Sequence, residues 1–364
     1  MKRILYIPLL LLFYACESDD AIVDNNQATT VKVPFTVSIS TNPESGQTKA
    51  PILPPEVDGA TTANTVKIYV FEDTNGSEDL KNPERFLYKE EGTITENING
   101  TTGDYIAKGN FTATSSASYR IIAFAYDSNV YGTELAEPLF TVGSTSFSTA
   151  MVTLQNKVTP ELFAGNLRVK DGVSDVISKV DGTTELTGNL FRAVGYVSIT
   201  LTNIPDDVNR LAFVSQKFAT TKNIYNKNAL GNYPLWYVDL DLEETYASVS
   251  TVAKESFENN GVTLKSFFFP LGEANRTFFY IDVLKNGSSY PIRLQVKCAD
   301  TKWDSTVWLG LFDKLVSSNS FVIPVNWQLK LSGAYSTLAS GNIKIDASPI
   351  TDSVDGGVLI PLNP

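Results

Sequence analysis

Short runs of alternating apolar and polar residues are the feature that most constrains the fold of this 364-residue chain. In the segment 31–40, the apolar residues Val31, Val33, Phe35, Val37 and Ile39 occupy every second position. A period of two places such residues on one face of a β-strand, whereas a helix needs a period of 3.6. The alternation therefore predicts an all-β protein built from half-buried strands.

The pattern divides the chain into two series of strands. The first series covers the segments 31–40, 66–71, 105–111, 119–126 and 148–154. The second series covers the segments 190–201, 211–216, 235–242, 262–269, 277–284, 289–298 and 321–331. Short strands separated by Gly, Asn and Asp turns are typical of β-sandwiches. We therefore predict two tandem β-sandwich domains, at 31–158 and 159–364, with a junction near 156–165.

Pro34 lies inside the first of these strands. Proline has no N–H group to donate to a neighbouring strand, so it is confined mainly to edge strands. The sequence therefore predicts that the strand at 31–40 lies at the edge of its sheet.

The N-terminus carries an export signal. Lys2 and Arg3 precede an apolar run at 4–14, which is about half the ~20 residues that a membrane-spanning helix needs. The run and the following Ala15 and Cys16 resemble a bacterial lipoprotein signal. That resemblance implies a signal peptide at 1–15 and lipidation of Cys16, for example with palmitate. An ordinary signal peptide with a chance cysteine is the alternative.

The residues after the cysteine predict where the protein goes. The acidic residues at 17–20 resemble the signal that sends lipoproteins to the outer surface of the outer membrane in some Gram-negative bacteria. The small polar residues that follow predict a flexible tether at 16–30. The expected location is therefore the surface of the cell outer membrane.

Charge and composition exclude several classes of function. The formal net charge is −11, which argues against nucleic-acid binding. The chain contains no histidine, so Ser-His-Asp catalysis, Cys-His catalysis and His-ligated zinc are excluded. We therefore expect no enzymatic activity, no cofactor and no metal.

Two acidic clusters are candidates for a metal-binding or catalytic site. The turn at 73–79 lacks the ligand spacing of an EF-hand, so a solvated turn is favoured over calcium binding. Asp239 and Asp241 leave a carboxylate-pair glycosidase open. They alternate with the apolar Val238 and Leu240, however, and are predicted to lie on the wet face of a strand.

Cys298 is the second of two cysteines. If Cys16 carries lipid, Cys298 has no partner for a disulfide within the chain. It alternates in register with Ile292, Leu294 and Val296, which predicts a buried and unreactive thiol.

Several segments together resemble the fimbrillin superfamily, the subunits and accessory proteins of surface pili. The segments that carry the resemblance, besides the lipoprotein signal, are 66–76, 119–125, 160–165 and 193–205. The resemblance implies two transthyretin-like Greek-key sandwiches, assembly with other fimbrial subunits by β-strand exchange, a location in the fimbrium and a role in cell adhesion. Host or bacterial surface ligands are further expected partners.

The resemblance also implies sites for strand exchange. In shaft subunits a protease cuts after an arginine beyond the first strand, and Lys49 and Ala50 occupy the matching positions here. No arginine lies between Cys16 and Arg85, which favours an anchor or tip role over a shaft role. In the C-terminal tail Val358, Ile360 and Leu362 alternate. The tail is either a donor strand for another subunit or a strand that completes its own second domain.

A rival function rests on the aromatic residues, which make up 11% of the chain. Exposed aromatic rings can stack on sugars, which would suit a glycan-binding surface lipoprotein of a polysaccharide-uptake system. Aromatic residues more often fill the core of a β-sandwich. The residues concerned are Trp236, Tyr237, Phe267, Phe268, Phe269, Phe278, Phe279 and Tyr280.

Overall fold

The computed structural model confirms that the chain is all-β. It describes residues 29–40, 63–73, 85–96, 105–126, 128, 143, 147, 151–153, 159, 161–219, 221–223, 242–271, 276–298, 316–317, 319–323 and 327–349. In this part of the chain the complete helical elements are a single 3₁₀ turn, Lys254–Ser256, and the six-residue helix α1, Tyr335–Ser340. None of the helices among the described residues is long and apolar enough to cross a bilayer.

Ten strands lie before Gly195 in the described residues. They are β1 (Thr30–Ser40), β2 (Thr65–Asp73), β3 (Arg85–Glu96), β4 (Tyr105–Thr114), β5 (Ser118–Tyr126), β6 (Met151–Thr153), β7 (Phe163–Asn166), β8 (Arg168–Val169), β9 (Ile177–Ser178) and β10 (Leu186–Arg192). All but β6, which pairs with a later strand at Thr221–Asn223, belong to one sheet.

The first sheet closes on itself. Its strands follow the order β1-β4-β3-β2-β5-β7-β10, and β10 pairs again with β1. All of these neighbours are antiparallel except β1 and β10, which run parallel. Closure satisfies the backbone donors and acceptors that an open sheet would leave at its edges. One apolar cluster fills the interior, and it runs from Val33 in β1 to Leu190 in β10.

The expectation that β1 is an edge strand is wrong. β1 has β4 on one side and β10 on the other. Pro34 pairs with Asn110 of β4, and the pairing with β10 begins one residue later, at Phe35. The proline therefore sits where the strand still has one neighbour, which is why its missing N–H is tolerated there.

Eleven further strands follow. They are β11 (Gly195–Thr202), β12 (Val208–Ala219), β13 (Thr221–Asn223), β14 (Leu242–Ala253), β15 (Val262–Phe268), β16 (Phe278–Lys285), β17 (Ile292–Gln295), β18 (Val316–Ser317), β19 (Ser320–Phe321), β20 (Trp327–Ala334) and β21 (Lys344–Pro349).

The second unit is a sandwich of two four-stranded sheets. One sheet has the order β15-β11-β20-β21 and the other β14-β12-β16-β17. Alternate residues of both sheets meet in one apolar cluster. Rings from the two sheets pack edge to face there, with the centroids of Phe213 and Phe268 5.9 Å apart. Its first strand, β11, pairs in parallel with the late strand β20, as β1 pairs with β10 in the first unit.

The change from one sheet to the next falls between Arg192 and Gly195, later in the chain than the predicted boundary at 158. β7, β8 and β10, which the sequence assigned to the second domain, pair within the first sheet. The predicted strand at 190–201 is accordingly divided between β10 and β11. The apolar pattern runs through 190–201 without a break because both strands are buried, so it does not mark the division.

The strand β3 was missing from the sequence prediction. Its residues 88–96 include four acidic or basic side chains and lack a continuous apolar alternation. It forms because β2 and β4 supply backbone partners on both sides. Propensity alone does not identify such a strand, since tertiary pairing overrides it.

Gly165 in β7 provides a test of the ring. A Cβ atom at this position would collide with the backbone oxygen of Asn189 in β10, and it would lie 3.0 Å from the Asn189 carbonyl carbon. We expect Gly165→Ala to lower the free energy of unfolding by at least about 1–3 kcal/mol, because two backbones would have to separate. Urea unfolding measures the change.

Gly182→Ala is the matched control. No atom lies within 4 Å of a Cβ built at Gly182. We expect its effect to stay within about 0.5 kcal/mol. Equal stability of the two variants would contradict the close approach of β7 and β10.

Candidate functional site

The position that β1 occupies in the first sheet is the candidate functional site. We call the gap between β4 and β10, which β1 fills, the β1 slot. Four side chains of β1 point into the core with at most 1% of their surface exposed: Val33, Phe35, Val37 and Ile39. The alternation seen in the sequence is therefore the inward face of this strand.

Backbone pairing holds β1 on both sides. β4 pairs with it antiparallel along its length, from Thr30 opposite Thr114 to Ile39 opposite Tyr105. β10 pairs with it in parallel from Phe35 opposite Leu186 to Ser40 opposite Phe191. The slot therefore offers unpaired N–H and C=O groups on two walls whenever β1 is absent, which is the arrangement that accepts an added strand.

Small residues shape the floor of the slot. A Cβ atom built on Gly92 of β3 would come within 3.2 Å of the Phe35 ring, and one on Gly188 of β10 would come within 3.5 Å of Val37. Burial of each inward side chain stabilises the fold by roughly 1.5–3 kcal/mol. Four of them make β1 a large contributor to the stability of the first unit.

A buried ion pair lies at the end of β10. Arg192 Nε donates a hydrogen bond to Glu161 Oε1 at 2.9 Å, and Arg192 Nη2 lies 2.7 Å from the same oxygen. Both side chains are almost wholly buried, and the guanidinium carbon lies 5.2 Å from the centre of the Phe163 ring. Glu161 Oε2 is buried without a hydrogen-bond partner.

This ion pair lies where the two units meet. Ala193, next to Arg192, donates a backbone hydrogen bond to Leu162 at 2.7 Å. Thr159, two residues before Glu161, forms a β-bridge with Phe267 of β15. The segment that carries Glu161 therefore also contacts the second unit. The pair is not among the sites predicted from the sequence. Its signal was a charged residue inside each of two apolar runs, at Glu161 and Arg192.

Burial dominates the electrostatics of the pair. It raises the pKa of Glu161 to about 8, because desolvation penalises the carboxylate, and the attraction of Arg192 opposes that rise. Burial likewise lowers the pKa of Arg192, against the attraction of Glu161.

The site residues that the sequence predicted lie outside the described residues. They are Cys16, Lys49, Ala50, Val358, Ile360 and Leu362. β1 ends at Ser40, ahead of Lys49, and β21 ends at Pro349, ahead of the tail. Lipidation, cleavage and strand donation at these residues therefore stay predictions.

The remaining predicted features are partly described. Cys298 is 6% exposed and belongs to the core of the second unit, which confirms the buried thiol. Burial raises its pKa to about 12. Asp239, Asp241 and the turn residues 74–79 lie outside the described residues. Within the described ranges no group of three or more Cys, Asp or Glu residues could hold a metal ion.

The aromatic residues divide between core and surface. Phe268, Phe269 and Phe279 are buried, as the core interpretation predicts. Phe267, Phe278 and Tyr280 are half-buried. Trp236 and Tyr237 lie outside the described residues.

Comparison with known proteins gives structural similarity at low identity. No protein-family model and no curated protein sequence matches the chain. A proposed cell adhesion protein from Bacteroides ovatus is similar with a TM-score of 0.41 and 9% identity, over 91% of this chain and 99% of that one. The fimbrial anchor protein Mfa2 from Porphyromonas gingivalis is similar with a TM-score of 0.39 and 9% identity, over 87% of this chain and 99% of its own.

A third similar structure is the tip fimbrial protein Mfa3 from Porphyromonas gingivalis with a C-terminal truncation. Its TM-score is 0.38 at 10% identity, over 88% of this chain and 99% of that chain. Scores and identities this low carry no argument about function. The function must be argued from this chain's own residues.

The raised pKa of Glu161 predicts that the free energy of unfolding depends on pH. Its folded pKa lies above the ordinary value of 4.5, so the folded chain binds a proton between pH 4.5 and 8 that the unfolded chain has released. The stability this proton gives is complete below pH 4.5 and is lost as the pH rises through about 8. No histidine titrates in this window, because the chain has none.

We therefore expect the free energy of unfolding to fall from pH 5 to pH 8, and Glu161→Gln to flatten that slope. Urea unfolding at a series of pH values measures it. Glu185→Gln is the control, because the hydrogen bond and charge of Lys170 lower the pKa of that exposed carboxyl, so its contribution to stability does not fall as the pH rises. An unchanged slope in Glu161→Gln would disprove the assignment.

The burial of Cys298 predicts that its thiol reacts slowly with alkylating reagents. In a chain carrying Cys16→Ser, Cys298 is the remaining cysteine. At pH 8 the rise of its pKa from 9.0 to about 12 lowers the thiolate fraction on the order of a thousandfold. We expect iodoacetamide to label it slowly in the folded chain and rapidly in denaturing urea. Equal labelling rates would show that the thiol is accessible.

Proposed function

We propose that the protein is a surface-exposed lipoprotein of the fimbrillin type, which acts as a pilus subunit, anchor or tip in cell adhesion. It is held at the outer membrane by lipid on Cys16 and assembles with other subunits by exchange of β-strands. The observation that carries the proposal is the β1 slot, whose occupant is an N-terminal strand paired to backbone on two sides.

The contacts that hold β1 are of a kind that another strand can make in its place. β1 is bound through main-chain hydrogen bonds and four alternating apolar side chains. Main-chain hydrogen bonds do not depend on which side chains a strand carries. Any extended segment with apolar residues at alternate positions can therefore replace β1. Release of β1 would expose an apolar groove that is costly to leave empty.

The C-terminal tail repeats the sequence pattern of β1. In β1, proline stands between the inward residues Val33 and Phe35, with Val31 two positions before them. In the tail, Pro361 stands between Ile360 and Leu362, with Val358 two positions before them. A donated tail running in the direction of β1 would place Pro361 at the Pro34 position, where the slot has a strand on one side.

The connection between β1 and β2 bears on the role of the chain within a pilus. Release of β1 needs a cut between β1 and β2, and Lys49 is the candidate position in that connection. An arginine-specific protease has no site between Cys16 and Arg85. A chain that escapes this cut keeps both its lipid and β1. That outcome suits an anchor at the cell surface or a tip, whose β1 slot accepts no further subunit.

Strand exchange can be tested on the purified mature chain. A trypsin-like protease should cut after Lys49 and give a new N-terminus at Ala50. The cut chain should then form oligomers that resist SDS, because donated strands are held by main-chain pairing along their length. Gel electrophoresis and N-terminal sequencing measure both results.

Single substitutions in the tail provide the matched pair. Ile360→Asp places a charge on the face that enters the β1 slot, and we expect it to abolish the oligomers. Leu359→Asp places the same charge on the opposite face of the same strand, and we expect oligomers to persist. Oligomers that survive Ile360→Asp, or that never form after the cut, would contradict exchange through the tail.

A further inference from the structure

The second unit presents aromatic and charged side chains on the outer face of one sheet. The sheet β14-β12-β16-β17 buries one face in the core and turns the other outward. A contiguous set of outward side chains comes from all four strands, and we call it the tyrosine platform. Its members are Gln216 (β12), Tyr246 (β14), Tyr280 and Asp282 (β16), and Arg293 (β17).

Neighbouring side chains fix the position of Tyr246. The Arg293 guanidinium carbon lies 4.2 Å from the centre of the Tyr246 ring. The ring of Tyr280 meets that of Tyr246 edge to face, with centroids 5.1 Å apart and planes at 74°. Tyr246 nevertheless keeps 46% of its surface exposed. An aromatic ring that is held in place yet open to solvent costs little conformational entropy when a ligand binds to it.

The polar groups beside the ring are also held in fixed orientations. Arg293 Nε and Nη2 donate to the two oxygens of Asp282, each at 2.7 Å. The hydroxyl of Tyr280 donates to Gln216 Oε1 at 3.0 Å. A guanidinium has five N–H donors and each carboxylate oxygen has two lone pairs, so the contacts between Arg293 and Asp282 leave hydrogen-bonding capacity at the surface.

The platform carries no net charge at neutral pH. Asp282 balances Arg293 through the bidentate pair. Tyr280 stays protonated, because burial raises its pKa to about 12. An anionic or cationic ligand would find each charge already matched, whereas a neutral ligand with an apolar face and many hydroxyls meets complementary groups.

We propose that the tyrosine platform binds a neutral glycan. The C–H face of a pyranose ring packs against the exposed part of Tyr246, and its hydroxyls bond to Asp282 and Arg293. Planar polar side chains beside an aromatic ring suit this ligand, because they can pair with adjacent hydroxyls while the ring covers the apolar face. The platform lies on the second unit, so its binding does not depend on strand exchange through the β1 slot.

The test is calorimetric titration of the mature chain with four neutral tetrasaccharides, built from glucose, mannose, galactose or N-acetylglucosamine, and with tetragalacturonate as an anionic counterpart. At least one neutral tetrasaccharide should bind at millimolar Kd or tighter, and tetragalacturonate should bind more weakly. Tyr246→Ala should weaken the neutral ligand about tenfold or more, because the stacking surface is lost.

Two further variants separate the ring from a general effect on the fold. Tyr246→Phe keeps the ring and should retain most of the affinity. Tyr290→Ala removes an aromatic residue that is 82% exposed and outside the platform, and it should bind like the unaltered chain. Thermal unfolding should show the same Tm for all three variants. Failure of every neutral tetrasaccharide to bind, preference for tetragalacturonate, or unchanged affinity in Tyr246→Ala would overturn the proposal.

Discussion

Pairing of β1 with two strands at once is the interaction on which the first unit depends. β4 follows it within the same half of the sheet, whereas β10 lies about 150 residues further along the chain and closes the ring. Four inward side chains of β1 join strands from both ends of this unit in one apolar cluster. The strand that completes the core is therefore also the first strand among the described residues.

The junction between the units is built on the same strand, β10. Arg192 ends it inside the core, bound to Glu161, while Thr159 bridges to β15 of the second unit. The buried contact between Arg192 and Glu161 contributes less to stability than its geometry suggests, because both groups lose their hydration and Glu161 Oε2 has no hydrogen-bond partner. The seat of β1 and the connection of the units are thus contiguous along one strand.

Much of the fold could be predicted from alternation, and the exceptions share a physical cause. The inward face of β1, the buried Cys298 and the all-β class follow from period-two patterns that burial imposes on side chains. Three features depend on backbone partners far away in sequence, which no local pattern encodes: the strand β3, the passage from β10 to β11, and the pairing of β1 on both sides. The sequence indicated one member of the tyrosine platform, Tyr280, as a candidate aromatic residue. Its partners Tyr246 and Arg293 come from strands 34 and 13 residues away and meet only in the folded sheet.

Parallel closure has a kinetic consequence. Both units join their first strand to a late one, β1 to β10 and β11 to β20, so neither core can be completed until the distant strand has arrived. Contacts of such long sequence separation slow folding, because a long loop must close before they form. During folding the incomplete first unit would therefore persist with its groove unfilled. In that interval any extended apolar strand would compete for the groove, so timing as well as affinity would decide which strand occupies it.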